Sequence, residues 1–430
     1  MRPLYKTLLL LAALSIWTST AHARIYVDIT APGMTKIPIA VPYLNVVPQN
    51  IEYEQLGRKV SDVLSNDLTF HDFFSVLDPN QYGGRADADW SKFQINYLVK
   101  GSIAASGNAM VVDFQLIDMS NKNTLVSKHY TGLISDYRFI AHRFCDEIIM
   151  AITGEHGVSL SKIAFVGPNG RFRDVYTADF DGADAKIITN EKSFVVSPRY
   201  SPDGKYIAYT SYRYGKPQIF IKDLATGRTK RISAYRGLNI SPAWAPDGKR
   251  LAVTLSKDGN PDIYLIDTAG KILDRLTHGP GINVSPTWSP DGKRLAFVSD
   301  REGTPQVYIY DMALRTVKRL TYDGHYNTDP QWSPRGDQIV YASRIGGQFQ
   351  IFTISPDGGD PTQLTTSGDN ENPSWAPNGR MILFSSNRQG IKALFVMQAN
   401  GADQRLLIRR NGNLTIPDWG PNDLSGYNNK

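Results

Sequence analysis

The phrase SPTWSPDGK and its close variants recur through the second half of the chain and limit the possible folds more than any other feature. The proline before the aromatic residue recurs every 43 or 44 residues, at positions 198, 242, 286, 330, 373 and 417. A fixed period of this length is typical of repeat architectures in which each copy forms one supersecondary unit.

Each repeat contains short apolar segments and no helical periodicity. The third copy continues with RLAFVS (294–299), PQVYIYDM (305–312) and VKRLT (317–321). Four short strands in about 44 residues match one blade of a β-propeller. Residues 162–430 are therefore predicted to form a six-bladed β-propeller.

The repeated turn and the repeated aromatic residue have structural explanations. Pro-Asp-Gly favours a tight turn, because proline presets φ, aspartate bonds nearby backbone and glycine accepts positive φ. The tryptophans could stack on a ligand. The favoured interpretation is that each wide indole ring packs between neighbouring blades.

The two ends of the repeat region indicate how the ring closes. KIAFVG (162–167) has no phrase before it, and IPDWGP (416–421) has no strand after it. We therefore expect the C-terminal segment to form the innermost strand of the first blade, beside Lys162 to Gly167. This pairing covers the edge that an open ring would expose.

Residues 24–154 have a different pattern, which predicts a small N-terminal α/β domain. Residues 155–161 are predicted to link it to the propeller. The fold class is thus a two-domain protein, α+β followed by all-β, whose propeller is closed by its C-terminal strand. The predicted elements are strands at 24–30 and 37–44, a helix at 53–66, strands at 95–105, 109–117 and 124–131, and a helix at 135–152.

The first 23 residues have the pattern of a cleaved signal peptide. Arg2 and Lys6 precede an apolar run at 8–17, and the small-x-small motif at 21–23 predicts Arg24 as the first mature residue. An uncleaved anchor is less favoured, because a spanning helix needs about 20 apolar residues. Cys145 is the only cysteine, so no intrachain disulfide is possible, and its helical periodicity indicates burial.

Charge and motifs argue against nucleic-acid binding and catalysis. The net charge is +6, and the one dense basic stretch, at 405–410, contains a predicted strand. The chain has no GxSxG, HExxH, Walker or GxGxxG motif. His278 and His325 do not form a recognisable metal-ligand set, so no enzyme activity, cofactor or metal is predicted. The alternative is a six-bladed lyase or hydrolase with a metal in the central tunnel.

Polar residues recur in the loops that enter the innermost strands. Four blades place asparagine three residues before the proline, and most place serine, aspartate or asparagine directly before it. Such residues could satisfy the backbone of their own loop. They could also form a polar ring that bonds an inserted segment of a partner. Both interpretations are open.

The predicted signal peptide, the small α/β domain and the WSPDGK repeats together resemble the TolB family, as do RIYVDIT (24–30) and VVDFQLID (111–118). The resemblance implies a monomeric, non-catalytic periplasmic protein of the Tol-Pal system in Gram-negative bacteria. It also implies a role in outer-membrane integrity and in envelope invagination during cell division. Membrane association would be indirect, and no nucleic acid would be bound.

The resemblance also implies two partner-binding regions. The propeller face would bind the peptidoglycan-associated lipoprotein Pal, and the mature N-terminal stretch would be linked to contact with TolA. The implied Pal-binding residues are Leu238, Asn239, Ile240, Ser241, Ile282, Asn283, Val284, Ser285, Asn327, Asp329, Asn370 and Asn372. The implied TolA-linked residues are Arg24, Ile25, Tyr26, Val27, Asp28, Ile29 and Thr30.

Overall fold

The computed structural model describes residues 36–48 and 51–422. Its N-terminal part is one six-stranded sheet with two helices packed against it. The elements are β1 Ile37–Ala40, β2 Asn45–Val47, α1 Ile51–Phe70, β3 Phe74–Val76, β4 Tyr97–Ser106, β5 Ala109–Asp118, β6 Thr124–Leu133 and α2 Tyr137–Thr153. Short 3-10 turns lie at Pro79–Gln81, Trp90–Lys92 and Ile134–Asp136.

The sheet order is β3-β1-β4-β5-β6, and β2 pairs with β4. Buried and exposed residues alternate along β5, so the sheet has one face on the core and one wet face, as predicted. Helix α2 ends at Gly154, whose φ of 73° is a left-handed conformation that glycine adopts without strain. Cys145 is buried in the core, as its periodicity predicted.

Two predicted elements differ in extent from the structure, and the short strands β2 and β3 were not predicted. The strand predicted at 37–44 ends at Ala40, because Pro42 has no N–H for a ladder and the Tyr43 N–H bonds Gly84 O instead. The first helix, predicted at 53–66, begins at Ile51 and extends to Phe70. The predicted strand at 24–30 lies outside the described residues.

The remaining strands form six four-stranded antiparallel sheets, which are the blades of the predicted propeller. Blade 1 is β30-β7-β8-β9 and contains β7 Ser161–Asn169, β8 Phe172–Asp179, β9 Lys186–Ile187 and β30 Thr415–Asn422. Blades 2 to 6 follow in chain order. Their strands are β10 Val195–Tyr200, β11 Tyr206–Ser211, β12 Gln218–Asp223 and β13 Thr229–Ser233; β14 Asn239–Trp244, β15 Arg250–Leu255, β16 Asp262–Asp267 and β17 Ile272–Arg275; β18 Asn283–Trp288, β19 Arg294–Ser299, β20 Gln306–Asp311 and β21 Val317–Arg319; β22 Asn327–Trp332, β23 Ile339–Ile345, β24 Gln348–Ile354 and β25 Thr362–Gln363; and β26 Asn370–Trp375, β27 Met381–Ser386, β28 Ala393–Gln398 and β29 Arg405–Ile408.

The C-terminal strand closes the ring, as predicted. Strand β30 pairs antiparallel with β7, with Trp419 opposite Ile163. The Trp419 indole N–H donates to Ser161 Oγ at 2.8 Å. Strand β30 also contacts the inner strands β10 and β26 on its two sides. The last strand therefore completes the first blade and joins it to the sixth.

The repeated tryptophans pack between blades, as predicted. Trp288, Trp332, Trp375 and Trp419 are buried, and several indole N–H groups bond the backbone of the preceding blade. Trp288 Nε1 donates to Ala243 O at 3.3 Å. The indole N–H groups of Trp244, Trp288 and Trp375 thus fix each of these rings to the preceding blade.

Neither α1 nor α2, the two α-helices among the described residues, is long and apolar enough to cross a membrane.

Candidate functional site: the two propeller faces

The two faces of the propeller carry different loops. One face, here called the turn face, carries the Pro-Asp-Gly turns between the first and second strands of each blade. The other, here called the loop face, carries the loops that enter the inner strands and the loops between the second and third strands. These two kinds of loop are joined by backbone bonds, for example from Tyr212 N to Phe194 O and from Asp300 N to Ile282 O.

The N-terminal domain contacts the turn face. Glu155, at the start of the segment that joins the two domains, forms ion pairs with Arg335 and Arg380, which lie at the turns of blades 5 and 6. On blade 1, Asn422 Nδ2 donates to Asp146 Oδ2 at 3.1 Å. The described part of the N-terminal domain therefore leaves the loop face uncovered.

Ion pairs reinforce this contact. Arg138 of α2 donates to Asp181 at 2.6 Å and to Asp179 at 3.3 Å, both in blade 1. His142 lies between Asp67 of α1, at 2.6 Å, and Asp179, at 3.8 Å. Burial acts to lower the pKa of His142, but hydrogen bonds to Asp179 and Asp67 raise it to about 9. His142 is therefore a buried cation that joins the two domains at neutral pH.

Two clusters of potential metal ligands lie at this boundary, among the described residues. One is Asp67, His142 and Asp181, whose members are already held by the ion pairs above. The other is His71, Cys145 and Asp146. Burial raises the pKa of Cys145 and lowers that of His71 to about 3, so both are neutral. His71 Nε2 lies 2.9 Å from Ser159 Oγ. Asp146 accepts hydrogen bonds from the Ser159 N–H and from Asn422, whereas Asp67 Oδ1 and His71 Nδ1 have no hydrogen-bond partner among the described residues.

The residue before each repeated proline lines the central tunnel. These residues share a φ between 51° and 54°, which is unusual for residues other than glycine and accompanies a β-bulge in each inner strand. They surround a cavity of about 480 Å³. They are Ser197, Ser241, Ser285, Asp329, Asn372 and Ile416.

The tunnel carries carboxylates and no histidine among its described lining residues. Asn372 Nδ2 donates to Asp329 Oδ2 at 2.8 Å. Asp418 accepts the Tyr200 N–H at 2.8 Å and lies 3.6 Å from Arg199. Burial raises the pKa of Asp418 to about 6, against the charge of Arg199. The lining does not match the histidine-rich set that the lyase alternative requires.

The repeated asparagines are held within the propeller. Asn239, Asn283, Asn327 and Asn370 are at most 1% exposed. Asn283 Nδ2 donates to Asp262 Oδ1 at 2.9 Å, and its Oδ1 accepts from Arg301 at 2.7 Å. These amides shape the loops, so the interpretation of the four side chains as a ring open to a partner is corrected. Asn239 bonds Ser233 and the backbone of Tyr235 and Gly237 within its own loop, as the local interpretation expected. The other three also bond a side chain about twenty residues earlier in the neighbouring blade, which the loop sequences alone did not reveal.

The other predicted site residues are at least partly accessible. Ile282 is 45% exposed on the loop face. Leu238, Ile240, Ser241, Val284, Ser285, Asp329 and Asn372 are intermediate in exposure. The stretch from Arg24 to Thr30 lies outside the described residues.

The loop face also exposes apolar side chains that the sequence analysis did not name. Single exposed apolar residues are common, but a face that carries many aromatic residues is typical of protein interfaces. They are Phe194, Tyr212, Tyr214, Tyr322, Tyr326, Ile345 and Ile391, with exposures from 37% to 69%. The sequence signal was their position in the loops before the inner strands and between the second and third strands.

Comparisons with known proteins match both domains. A family model of the TolB beta propeller domain matches residues 149–423, and one of the TolB amino-terminal domain matches residues 25–125. The Tol-Pal system protein TolB of Desulfotalea psychrophila is 37% identical over 223 residues, which are 52% of this chain and 51% of that protein. The protein of the same name from Syntrophus aciditrophicus is 38% identical over 243 residues, 53% of each chain. The chain thus spans about half the length of the curated relatives it matches.

A solved structure is similar over most of the chain. The crystal structure of TolB from Acinetobacter baumannii has a TM-score of 0.78 and 30% identity, and the match covers 90% of this chain and 97% of that chain. The fold and both family-model matches show that this chain belongs to the TolB family.

Proposed function

We propose that the chain is a non-catalytic scaffold of the cell envelope, located in the periplasm and working within a Tol-Pal system. Its relatives from Desulfotalea psychrophila and Syntrophus aciditrophicus are Tol-Pal system proteins by name. In this proposal residues 1–23 are a cleaved signal peptide, 24–154 the N-terminal domain, 155–161 the linker and 162–430 the propeller. The protein would act as a monomer that supports outer-membrane integrity and envelope invagination during division.

The proposed partner of the loop face is the lipoprotein Pal. The observation that carries this proposal is the asymmetry of the propeller. The N-terminal domain contacts the turn face, whereas the loop face presents exposed apolar residues around the tunnel mouth. A rigid ring loses little conformational entropy when it binds, so preset loops are suited to this role. Contact with TolA is proposed through Arg24 to Thr30.

The test replaces one exposed residue on the loop face. Ile282→Arg puts a charge into the proposed interface, and we expect Pal affinity to fall by a factor of about thirty or more, as for a residue worth about 2 kcal/mol. Leu273→Arg is the matched control, because both side chains are 45% exposed and Leu273 lies on the outer strand β17 of the neighbouring blade.

The measurement is calorimetric titration of each variant with purified Pal, alongside thermal melts. We expect Leu273→Arg to bind as the unchanged protein does and both variants to melt normally. Equal binding by all three proteins would remove the Ile282 loop from the interface. No binding by the unchanged protein would refute the Pal proposal.

A further inference from the structure

Blade 1 meets blade 6 on the loop face around the loop formed by residues 409–414, and arginines surround this loop. Arg173 Nη2 donates to Asn413 O at 2.9 Å. The Arg410 guanidinium lies 5.1 Å from the centre of the Tyr176 ring, and Arg409 Nη2 donates to Gln389 O at 3.3 Å. We call the set of Arg171, Arg173, Arg388, Arg409 and Arg410 the seam patch.

None of these arginines forms an ion pair with a carboxylate within the described part of the chain. Arg388 donates to the Asn370 Oδ1 at 2.8 Å, to Gln404 Oε1 at 2.7 Å and to Ser386 Oγ at 3.0 Å. Arg171 lies over the Phe172 ring. All of these partners are neutral, so the positive charges stay uncompensated.

The nearby carboxylates are engaged elsewhere. Asp369 and Glu371 both pair with Lys392, and Glu191 pairs with Arg213. Asp174 is buried and accepts hydrogen bonds from Asn169, Thr189 and the Glu191 N–H.

Some arginines elsewhere on this face have acidic partners, whereas Arg301 of blade 4, the counterpart of Arg388, bonds the neutral side chains of Ser299 and Asn283. Arg275 bonds Asp262 at 2.6 Å, and Arg319 bonds Glu302 at 2.7 Å. What distinguishes the seam patch is that several arginines without an ion pair stand in neighbouring loops at one junction, between blades 1 and 6.

Two of the arginines are partly buried without a counter-charge. Burial lowers the pKa of Arg173 and of Arg388, which shows that the surroundings disfavour the cation. A guanidinium that is already oriented by neutral acceptors loses little side-chain entropy when it binds an anion. An anionic group at this position would supply the missing charge and could accept paired N–H bonds.

We infer that the seam patch binds an acidic polypeptide segment of a partner protein. The inference rests on the proposed function, because it states the charge of the partner segment that meets this part of the loop face. Exposed Ile391 and Phe194 stand in loops beside the patch, and apolar residues next to arginine are typical of protein interfaces. The patch is also continuous with the loop face already proposed to bind a protein.

The test reverses two charges. Arg171→Glu/Arg410→Glu changes exposed side chains of the patch, and Lys249→Glu/Lys293→Glu makes the same change in net charge at exposed residues of the turn face. The first probe is a fluorescent polyglutamate peptide, followed by anisotropy at low and moderate salt. The unchanged protein and the lysine variant should bind it, more weakly as salt rises, and the arginine variant should lose about tenfold or more in affinity. Thermal melts check that all three proteins are folded.

The inference is overturned if peptide binding is absent or if both variants bind equally. It is also overturned if the arginines support binding to phosphatidylglycerol vesicles and not to the peptide, because the patch would then recognise a lipid surface. A parallel titration with Pal separates the two proposals. Absence of Pal binding would refute the proposed function, whereas the peptide result alone decides the chemistry of the patch.

Discussion

Trp419→Ala tests whether the C-terminal strand carries the stability of the ring. The Trp419 side chain is 6% exposed. Its ring meets Phe70 of α1 at 6.4 Å, and its backbone N–H donates to Ser374 Oγ of blade 6 at 2.9 Å. One residue therefore contacts the first blade, the sixth blade and the N-terminal domain.

The expected loss follows from burial. A buried tryptophan removes about 150–250 Å² of surface from water, at about 25 cal/mol per Å². That gives about 4–6 kcal/mol, which agrees with the 3–5 kcal/mol typical of Phe or Trp to Ala changes in protein cores. At about 2–4 °C per kcal/mol for a unit of this size, the melting temperature should fall by about 10 °C or more.

Calorimetry and hydrogen exchange provide the assay. Trp244→Ala is the control, because Trp244 is only partly buried and lies between blades 2 and 3, away from the closure. The Trp244→Ala variant should lose about half as much stability as Trp419→Ala. In this control, the backbone amides of β7 and β30 should stay protected from hydrogen exchange. In Trp419→Ala those amides should exchange faster. A melting temperature within about 1 °C of the unchanged protein would refute the reasoning.

Two further predictions concern buried polar groups. The folded pKa of His142, about 9, lies above its ordinary value of 6.5. Its contribution to stability is therefore complete below pH 6.5 and lost as pH rises through 9, with an upper limit of about 3 kcal/mol. Urea titrations at neutral and alkaline pH measure how much the free energy of unfolding falls as the pH rises. This fall should be smaller for His142→Gln than for the unchanged protein, and equal falls would contradict the assignment. Asn283→Arg should cost about 3 kcal/mol or more, because it buries a charge in place of an amide that bonds Asp262 and Arg301. A normal melting curve for that variant would contradict the assigned role of the amide.

The blades and the closure could be predicted because their signals are local and repeated. Each turn, each apolar segment and each tryptophan can be recognised within one repeat. The first repeat lacks its inner strand and the last phrase lacks a following strand, so pairing these two ends predicts the closure. The Trp419 to Ile163 pairing confirms it.

The roles of individual side chains could not be predicted in the same way. Asn283 looks like a loop residue, but its main partner Asp262 lies 21 residues earlier in blade 3. The contact of His142 with Asp67 spans 75 residues and forms only when both helices meet. Such pairs depend on tertiary packing, and periodicity carries no information about them.

The position of β30 also bears on the order in which the molecule can assemble during synthesis. The ribosome makes β30 after all the other blade strands. Yet β30 completes the first blade, and its Trp419 meets Phe70 of α1. When β29 has been made, the sequence of blades 2 to 6 is complete and the first blade still lacks its inner strand. The ring therefore cannot close before synthesis of the chain is nearly finished, so the polypeptide stays without its complete tertiary structure until then.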